Sequence, residues 1–453
     1  MTENNSRETA SFTEFQEGRF IVGFILAFIS LFFFWYFRAA EMSGGDSDQW
    51  CREIEAGVWF RKRQMFSFAA MQLTYTITHS YLNWNGRWAI NASSCMAGAC
   101  FVFLVWRLLG VGRLRWVSLG FVFSAGFMQL FFGHVETYAF PMTCLLFFLL
   151  IYRRYLAGRV RAIHVAAAFS LGIAFHMIFW FVLPIFGILL LHSRRRRRDA
   201  VEVAAGLLPA VLFTALVWVS PRYGFGEMVG DRFMPLFQVV PGTNKRFALF
   251  SWNHFYHWLW FAWNTSHFTL PIVFLAFIFR WLKRNPWTDM LAALAGCFLI
   301  FTFIWHPDAG RLDWDLFSFT GLPMVLLAVE AVREWRGRWS TVFVWGVISI
   351  SAALLGVKVV DAARLGTRGE GVVRIRFEPD NRAETWVITL DGHAKETEIR
   401  HVLEGRHKVM VYQSDGRNMF KYIESFDIEP GEAHEVIVPA TPPIAGAIQY
   451  SDH

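Results

Sequence analysis

Long apolar runs separated by short basic segments are the dominant pattern of this chain. A helix needs about 20 mostly apolar residues to cross the hydrocarbon core of a membrane. Runs of this kind predict membrane-spanning helices at residues 20–37, 88–109, 114–132, 138–156, 201–219, 268–282, 287–305, 316–332 and 341–360. The first run is too long for a signal-peptide core and lacks a small-residue cleavage site, so we expect an uncleaved first span.

Residues 163–191 are apolar but have basic clusters at both ends. One spanning helix cannot place both ends on the same side, so we interpret this stretch as a hairpin of two short helices that turns near His176. With this hairpin the chain has about 11 crossings. The predicted fold is therefore mainly α: a polytopic helical bundle over residues 20–360, after a cytoplasmic tail at residues 1–19.

The Lys and Arg clusters define the expected orientation. They lie in alternate short loops, at residues 107–115, 153–161, 194–198, 283–284 and 333–338. Cytoplasmic loops carry this excess of positive charge, so the N-terminus is expected in the cytoplasm and the C-terminus outside. The net charge of +7 is thereby explained without a nucleic-acid partner. We expect a multi-pass protein of the cell (inner) membrane.

Two of the predicted outer segments are long. Residues 38–87 combine charges with aromatic side chains, which is typical of helices that lie in the membrane interface. Residues 220–267 include SWNHFYHWLWFAWN, and such aromatics favour the level of the lipid headgroups. Simple anchoring in the membrane is the alternative for both segments.

Composition supports a membrane protein, and the cysteine pattern does not fit a disulfide-stabilised domain or a CxxC metal site. Hydrophobic residues make up 55% of the 453 residues and aromatics 18%, more apolar surface than a soluble domain of this length needs. Four of the five cysteines lie in apolar runs, and only Cys51 lies outside them. No CxxC metal pair and no disulfide framework is present.

The pattern changes after residue 360. Alternating apolar and polar positions over residues 372–439, separated by turn signals such as Asp391-Gly392 and Pro430-Gly431, predict short strands. We expect residues 361–453 to form a small extracytoplasmic all-β sandwich of roughly 70–80 residues with a flexible C-terminal tail. The order of LDG, LEGRHKVMVY and IEPGEAHEVIV resembles a PEGA-type β-sandwich.

Three polar segments near the predicted spans carry the candidate chemistry. They are GGDSDQW (residues 44–50), GHVETYAF (residues 133–140) and HPDAGRLDWDLFS (residues 306–318). The predicted topology places all three on the outer face, opposite the basic loops. Carboxylates and imidazoles gathered at one face of a membrane bundle indicate binding or catalysis there.

Asp46 and Asp48 form a D-x-D pair just after the first span. Two such carboxylates could share a divalent cation (Mg or Mn) with phosphate oxygens, or one could act as a general base. The preceding Gly44-Gly45 allows the backbone to approach a ligand closely. The alternative is a pair of solvated carboxylates at a helix N-terminus.

The second segment contributes His134 and Glu136. The chain returns to the membrane within a few residues after them. We interpret them as side chains at the mouth of a cavity. A hydrogen-bonded structural pair would explain them as well.

The third segment is a short polar loop between two spans. Its Arg suits bidentate recognition of phosphate, its Asp residues could orient that Arg or act as bases, and its Trp could stack on a sugar ring. The candidate binding residues here are His306, Asp308, Arg311, Asp313, Trp314 and Asp315. An ion-paired loop cap is the alternative.

Further candidates come from the hairpin and from the first outer segment. His176 would lie at the outer turn of the hairpin, where a structural and a functional role are equally plausible. Arg61, Lys62, Arg63 and Arg232 depart from the positive-inside trend. They could attract a lipid phosphate, or contact headgroups in general.

This layout resembles the GT-C superfamily of membrane glycosyltransferases: an uncleaved first span, a long outer loop that opens with an acidic motif, many spans and an outer C-terminal domain. GGDSDQW is similar to the family's acidic first-loop motif, and GHVETY supplies a second acid. The resemblance covers about residues 20–360. It implies Asp46 as the catalytic base, Asp48 as its neighbour and Glu136 as the second-loop acid.

The activity implied by this resemblance is sugar transfer from a polyprenyl-phosphate-linked donor to a glycan, lipid or protein acceptor on the outer face. The charge of the leaving lipid phosphate would be offset by Arg311, by basic residues of the first outer segment, or by a metal at Asp46 and Asp48.

Other functions are kept as alternatives. A transporter or flippase of a lipid-linked or anionic solute is the main one, although such proteins place polar sites midway through the membrane and often have repeated halves. An acyl- or phosphoethanolamine-type transferase would need a nucleophile or a metal-ligand set that the sequence lacks. A scaffold that only presents the β-sandwich leaves the polar loop clusters unexplained.

Overall fold

A computed structural model describes residues 20–39, 47–61, 63–109, 114–219, 234–237, 248–305, 314–333 and 338–365 in the helical part of the chain. In the C-terminal part it describes residues 370–378, 387–390, 393–395, 398–403, 405–414, 419–428 and 433–439. The chain divides after Val360 into two compact units.

The first unit is built from helices. Its α-helices are α1 (Phe20–Tyr36), α2 (Ser47–Glu55), α3 (Met65–Leu82), α4 (Gly86–Leu108), α5 (Leu114–Phe123), α6 (Ala139–Leu156), α7 (Ala162–Phe175), α8 (Ile185–His192), α9 (Arg196–Val219), α10 (Trp252–Ser266), α11 (Thr269–Ile278), α12 (Pro286–Ile304), α13 (Gly321–Arg333) and α14 (Arg338–Leu365). Short 3₁₀ helices occupy Gly126–Phe131, Met177–Val182 and Leu316–Thr320.

Within the described residues, six helical segments are long and apolar enough to cross a membrane. They are Gly86–Leu108, Ala139–Leu156, Arg196–Val217, Pro286–Ile304, Leu316–Arg333 and Thr341–Ala363. Each overlaps a span predicted from the sequence, and the chain is a multi-pass membrane protein. The helices α1 and α7 are apolar but shorter. The total of about 11 crossings stays a prediction.

One predicted span, residues 114–132, is not a continuous helix. The helix α5 ends at Phe123, and a 3₁₀ helix begins at Gly126. The Ser124 carbonyl lies 3.2 Å from Nδ1 of His267, which is the residue after α10. This carbonyl therefore has a partner outside its own helix. A Cβ on Gly126 would collide with the carbonyl oxygen of Asn264. The break therefore allows two backbone segments to approach closely.

A second difference concerns the span predicted at residues 268–282. The structure places the helix α10 before it, and α10 and α11 meet at a bend of 105°. His267 lies at the bend with φ +46, a left-handed value that is uncommon for residues other than Gly. The aromatic stretch that we expected at headgroup level forms α10, the first arm of this bent pair.

The apolar stretch 163–191 is interrupted at the expected position. The helix α7 ends at Phe175, and His176 has an extended backbone (φ −159, ψ 129). Nδ1 of His176 accepts a hydrogen bond of 3.0 Å from the backbone N–H of Ile178 at the start of the next 3₁₀ helix. The side chain thus caps the segment that follows the break.

The helices bury a continuous apolar core. The helix α4 packs against α3 and α6, α6 packs against α7, and α7 packs against α9. Gly98 of α4 permits a further close approach, between α4 and α1, since a Cβ on Gly98 would lie 2.8 Å from the Phe34 ring of α1. On α1 the side chains of Phe24, Phe28 and Phe32 are exposed, as expected for a helix that faces lipid.

The second unit contains seven strands: β1 (Glu370–Glu378), β2 (Val387–Leu390), β3 (His393–Lys395), β4 (Glu398–Leu403), β5 (Gly405–Ser414), β6 (Met419–Ile428) and β7 (Ala433–Pro439). They form one sheet in the order β4-β1-β7 and another in the order β3-β2-β5-β6. The pairs are antiparallel except β1 with β7, which is parallel.

The two sheets occupy the stretch in which alternation predicted strands. Val409 of β5 and Val436 of β7 are fully buried, so each sheet contributes an apolar position to an interior. The sandwich arrangement and the PEGA-like relationship stay predictions.

Candidate functional site

Two buried hydrogen bonds join the three polar segments. Nε1 of Trp50, in the first segment, donates to Oε2 of Glu136, in the second, over 2.7 Å. Nε2 of His134, also in the second, lies 2.9 Å from Oδ2 of Asp315 in the third. These four side chains are 4% to 7% exposed. Segments that are 86 and 181 residues apart along the chain therefore meet in one buried region.

The first segment is fixed by the short helix α2. Its first residue, Ser47, is buried, and the Trp50 ring meets the Phe68 ring of α3 edge-on at 5.4 Å. Ile54, Phe68 and Val135 belong to the same buried apolar cluster as Trp50. An aromatic side chain buried on all sides with its N–H satisfied orients a helix strongly. The backbone that directly follows Asp46 is thus held beside Glu136.

Arg61 forms a second support for Trp50. Its guanidinium lies 4.7 Å from the centre of the Trp50 ring and pairs with the carboxylate of Glu53. A cation over an indole face is a favourable arrangement. The sequence suggested Arg61 as a phosphate contact, and the structure gives it a carboxylate and a ring as partners.

The second segment is held by its backbone as much as by its side chains. Gly133 has φ +67, where a Cβ would lie 2.8 Å from Cβ of Arg38. Oγ of Ser94, on α4, donates to the carbonyl of His134 over 2.8 Å. The Thr137 hydroxyl donates to Oε1 of Gln64, which lies just before α3. The loop is therefore pinned to two helices on either side of His134 and Glu136.

Asp315 connects the third segment to the second. Its Oδ2 faces His134, while its Oδ1 accepts the backbone N–H of Leu316 over 2.7 Å. An ionised carboxylate can only accept hydrogen bonds, so this contact forms when Nε2 of His134 bears a hydrogen. The Trp314 ring lies 5.1 Å from the His134 ring. For Asp315 this geometry fits the alternative of a paired loop cap.

His176 lies on the other flank of the second segment. Its ring is 5.4 Å from the Tyr138 ring, and the backbone N–H of Met177 donates to the carbonyl of Arg63 over 2.9 Å. Nδ1 of His176 accepts the hydrogen bond from the backbone N–H of Ile178, so this nitrogen carries no proton.

Several predicted site residues lie outside the described residues, and their roles stay predictions. They are Asp46, Lys62, Arg232, His306, Asp308, Arg311 and Asp313. Asp48 belongs to α2, but its side chain is also outside the described set. Over the residues whose positions are described, no group of three or more His, Cys, Asp or Glu side chains could hold a metal. The metal predicted at Asp46 and Asp48 concerns other side chains.

Sequence reasoning did not single out four of the residues that build this region: Trp50, Gln64, Ser94 and Thr137. Trp50 and Thr137 lie inside the polar motifs, and a Trp at the end of GGDSDQW could have been noticed as a donor for a carboxylate. Gln64 and Ser94 carry no signal in the sequence, because only the packing of α3 and α4 brings them to the loop.

No family model matches this chain, and no curated protein matches it. Two solved structures are similar to it. The crystal structure of ArnT from Cupriavidus metallidurans bound to undecaprenyl phosphate has 13% identity and a TM-score of 0.47, over 75% of this chain and 63% of that chain. The apo structure of the same protein has 16% identity and a TM-score of 0.46, over 77% and 64%.

This chain thus spans a little less than two thirds of the length of ArnT. TM-scores below 0.5 do not establish a shared fold, and the functional proposal rests on the side chains of this protein.

Proposed function

We propose that this protein is a GT-C-type membrane glycosyltransferase that moves a sugar from a polyprenyl-phosphate-linked donor to an acceptor on the extracytoplasmic face. The observation that carries the proposal is the meeting of the three polar segments through Trp50–Glu136 and His134–Asp315. Buried carboxylates in a membrane bundle are costly and are retained where they bind or react.

The proposed base is Asp46, which directly precedes Ser47 of α2 in the chain. Its carboxylate takes the proton of an acceptor hydroxyl, and the freed oxygen attacks the anomeric carbon of the sugar. The bond from that carbon to the lipid phosphate breaks, and the phosphate leaves with the electron pair. A phosphate leaves without protonation more readily than an alkoxide, so one base and a cationic environment suffice.

The other residues have supporting roles in this proposal. Glu136, oriented by Trp50, is the second acid of the site and contacts the acceptor or the sugar hydroxyls. Asp48 lies beside the base, and with Asp46 it could hold a divalent metal on the phosphate. Arg311 and the basic residues of the first outer segment offset the phosphate charge. The polyprenyl chain lies in a groove between spans near the hairpin at residues 163–191.

A donor screen tests this function. Purified protein in detergent is incubated with radiolabelled polyprenyl-phosphate sugars, with and without Mg²⁺ or Mn²⁺, beside the Asp46→Asn variant. Asp361→Asn is the control, because Asp361 is an exposed carboxylate on α14. Transfer or release of sugar that is lost only in Asp46→Asn supports the proposal. Unchanged turnover in Asp46→Asn would eliminate Asp46 as the base.

A transporter or flippase is the second candidate, and one observation favours it. The bent pair α10–α11 is a discontinuous apolar helix, and at its bend Nζ of Lys358 donates to Oδ1 of Asn264. Transporters often bind solutes at such interruptions. A flux assay in proteoliposomes with lipid-linked sugars separates the two functions. Flux without sugar transfer, reduced by Lys358→Gln and unaffected by Asp46→Asn, would replace the transferase by the transporter.

A further inference from the structure

Arg38, just beyond the end of α1, is held between two tryptophan rings. Its guanidinium carbon lies 4.4 Å from the centre of the Trp35 ring and 4.2 Å from that of Trp88. Its Nη1 also donates to the carbonyl of Trp35 over 2.8 Å. Both faces of the guanidinium are therefore covered, while further N–H donors at its edge remain for another partner.

A third tryptophan completes this group, which we call the Arg38 cluster (Trp35, Arg38, Trp84 and Trp88). The Trp84 ring stacks on the Trp35 ring at 5.1 Å with an interplanar angle of 11°. It also lies 6.0 Å from the Trp88 ring. Arg38, Trp35 and Trp84 are half-buried and Trp88 is exposed, so the cluster reaches the surface. Tryptophans of this kind favour the headgroup level of a membrane.

The charge of the cluster is unbalanced in the described part of the chain. No carboxylate in that part pairs with Arg38. Glu55, the last residue of α2, accepts the backbone N–H of Gly86 at the start of α4 over 2.8 Å. Burial lowers the pKa of the Arg38 guanidinium, and Arg87 lowers it further. An anion placed at Arg38 would relieve this repulsion.

A buried acceptor lies beside the cluster. Nδ2 of Asn91 donates to the carbonyl of Ala39 over 2.8 Å, which fixes the orientation of the amide. Its Oδ1 then has no hydrogen-bond partner, and Asn91 is only 3% exposed. A Cβ on Gly133 would touch both Arg38 and Asn91. The Arg38 cluster therefore adjoins the backbone that leads into His134.

We propose that the Arg38 cluster binds the phosphate group of an anionic membrane lipid on the outer face of the protein. The guanidinium edge supplies charge-assisted hydrogen bonds to phosphate oxygens, and the tryptophans hold it at headgroup depth. Outer loops usually carry few Lys and Arg residues, so an arginine without a carboxylate partner is unusual there. A bound phosphate would balance its charge.

Two kinds of lipid could carry the phosphate group that binds here. One is a glycerophospholipid of the bilayer, and the other is the polyprenyl phosphate of the donor, which rests on the proposed function. Both present the same chemistry, and their lipid chains tell them apart. Binding can be measured without turnover, so a failure of this inference leaves the transferase proposal intact.

Native mass spectrometry of the purified protein, titrated separately with phosphatidylglycerol and with a polyprenyl phosphate, measures each affinity. We expect Arg38→Gln to weaken binding about tenfold for at least one lipid. Arg38→Lys keeps the charge but not the planar fork, and we expect a smaller loss. The matched control is Arg115→Gln, since Arg115 also stacks on a tryptophan, Trp106, and points to its carbonyl.

The outcomes separate the two sources. Loss of phosphatidylglycerol binding alone assigns the cluster to bulk phospholipid, and loss of polyprenyl phosphate binding alone assigns it to the donor. Loss of both assigns a shared phosphate site. Affinities for both lipids that stay within twofold in Arg38→Gln and Arg38→Lys, or that fall equally in Arg115→Gln, overturn the proposal. If Arg38→Gln does not fold, the Arg38→Lys titrations decide by the same criteria.

Discussion

The carboxylates of the candidate site and those beside the basic loops have different partners. In the candidate site, Glu136 receives an indole N–H and Asp315 faces an imidazole. Beside the basic loops, Glu202 pairs with Arg161 and Arg198 at 2.8 and 2.9 Å, and Asp289 lies 3.3 Å from Arg284 as well as 3.1 Å from Nε2 of His192. The carboxylates beside the basic loops therefore each have a guanidinium partner, whereas the contacts that join the polar segments come from an indole and an imidazole.

The two regions also differ in how far their contacts reach along the chain. Arg198 and Glu202 are four residues apart on one helix, and Arg333 and Glu330 are three apart. Trp50–Glu136 and His134–Asp315 join distant segments. Local pairs support a helix end, while the distant pairs bring separate loops into one site.

The largest effect is expected from Asp46→Asn. If Asp46 is the base, its loss should lower sugar transfer by about 10²- to 10⁴-fold, the usual contribution of general base catalysis. Thermal stability should change little. Initial rates with a polyprenyl-phosphate sugar measure the effect. Asp289→Asn, on the side of the basic loops, should leave the rate within about twofold, and an equal loss there would remove the distinction between the regions.

The next largest effect is expected on stability from Asp315→Ala. This change removes the carboxylate that contacts both the His134 ring and the Leu316 N–H. The loss of a buried hydrogen-bond partner costs about 1–3 kcal/mol for each group that is left unsatisfied. Thermal unfolding in detergent, followed by circular dichroism, should show a clear fall in Tm. Glu330→Ala serves as the counterpart, because its partner Arg333 is 43% exposed and water replaces the lost contact. Equal shifts in both variants would contradict the comparison.

Trp50→Phe tests the indole N–H that donates to Glu136. The ring stays but the N–H is lost, so the buried Glu136 carboxylate loses a hydrogen bond at a cost of about 1–3 kcal/mol. We expect a lower kcat for sugar transfer and a modest fall in Tm. Trp287→Phe is the matched control, since Trp287 Nε1 donates to Oε1 of Glu330 over 3.2 Å. Glu330 keeps Arg333, so kcat should not change in that variant.

The smallest effect is expected from Arg198→Ala. Arg198 is 51% exposed and Glu202 keeps Arg161, so unfolding should become easier by less than about 1 kcal/mol. Differential scanning calorimetry measures the shift, and 1 M salt should reduce it. A loss of stability as large as that of Asp315→Ala would show that the basic side is more than a set of local pairs.

Much of the architecture could be predicted from the sequence, because a membrane imposes simple requirements on it. Apolar runs such as residues 88–109 and 287–305 predicted helices, and α4 and α12 occupy these positions. The break near His176 also followed from charge, since basic clusters at both ends of one apolar stretch do not fit a single crossing. Period-two alternation predicted the strands of the second unit.

The breaks at Ser124 and His267 could not be predicted in this way. The two breaks contact one another. The Ser124 carbonyl lies within hydrogen-bond distance of His267, and the absence of a Cβ at Gly126 allows the Asn264 carbonyl to approach. Residues 114–132 are apolar throughout, and hydropathy alone favours a continuous helix there. Tertiary contact interrupts it.

The same division holds for the candidate site. The sequence by itself determined which residues are polar next to a membrane, and it thereby selected Glu136, His134 and Asp315, since such side chains are expensive beside lipid. Only the tertiary structure decided their partners. The donor for Glu136 is Trp50, and the acceptor for His134 is Asp315, because hydrogen bonds form between atoms about 3 Å apart in space, whatever their separation along the chain.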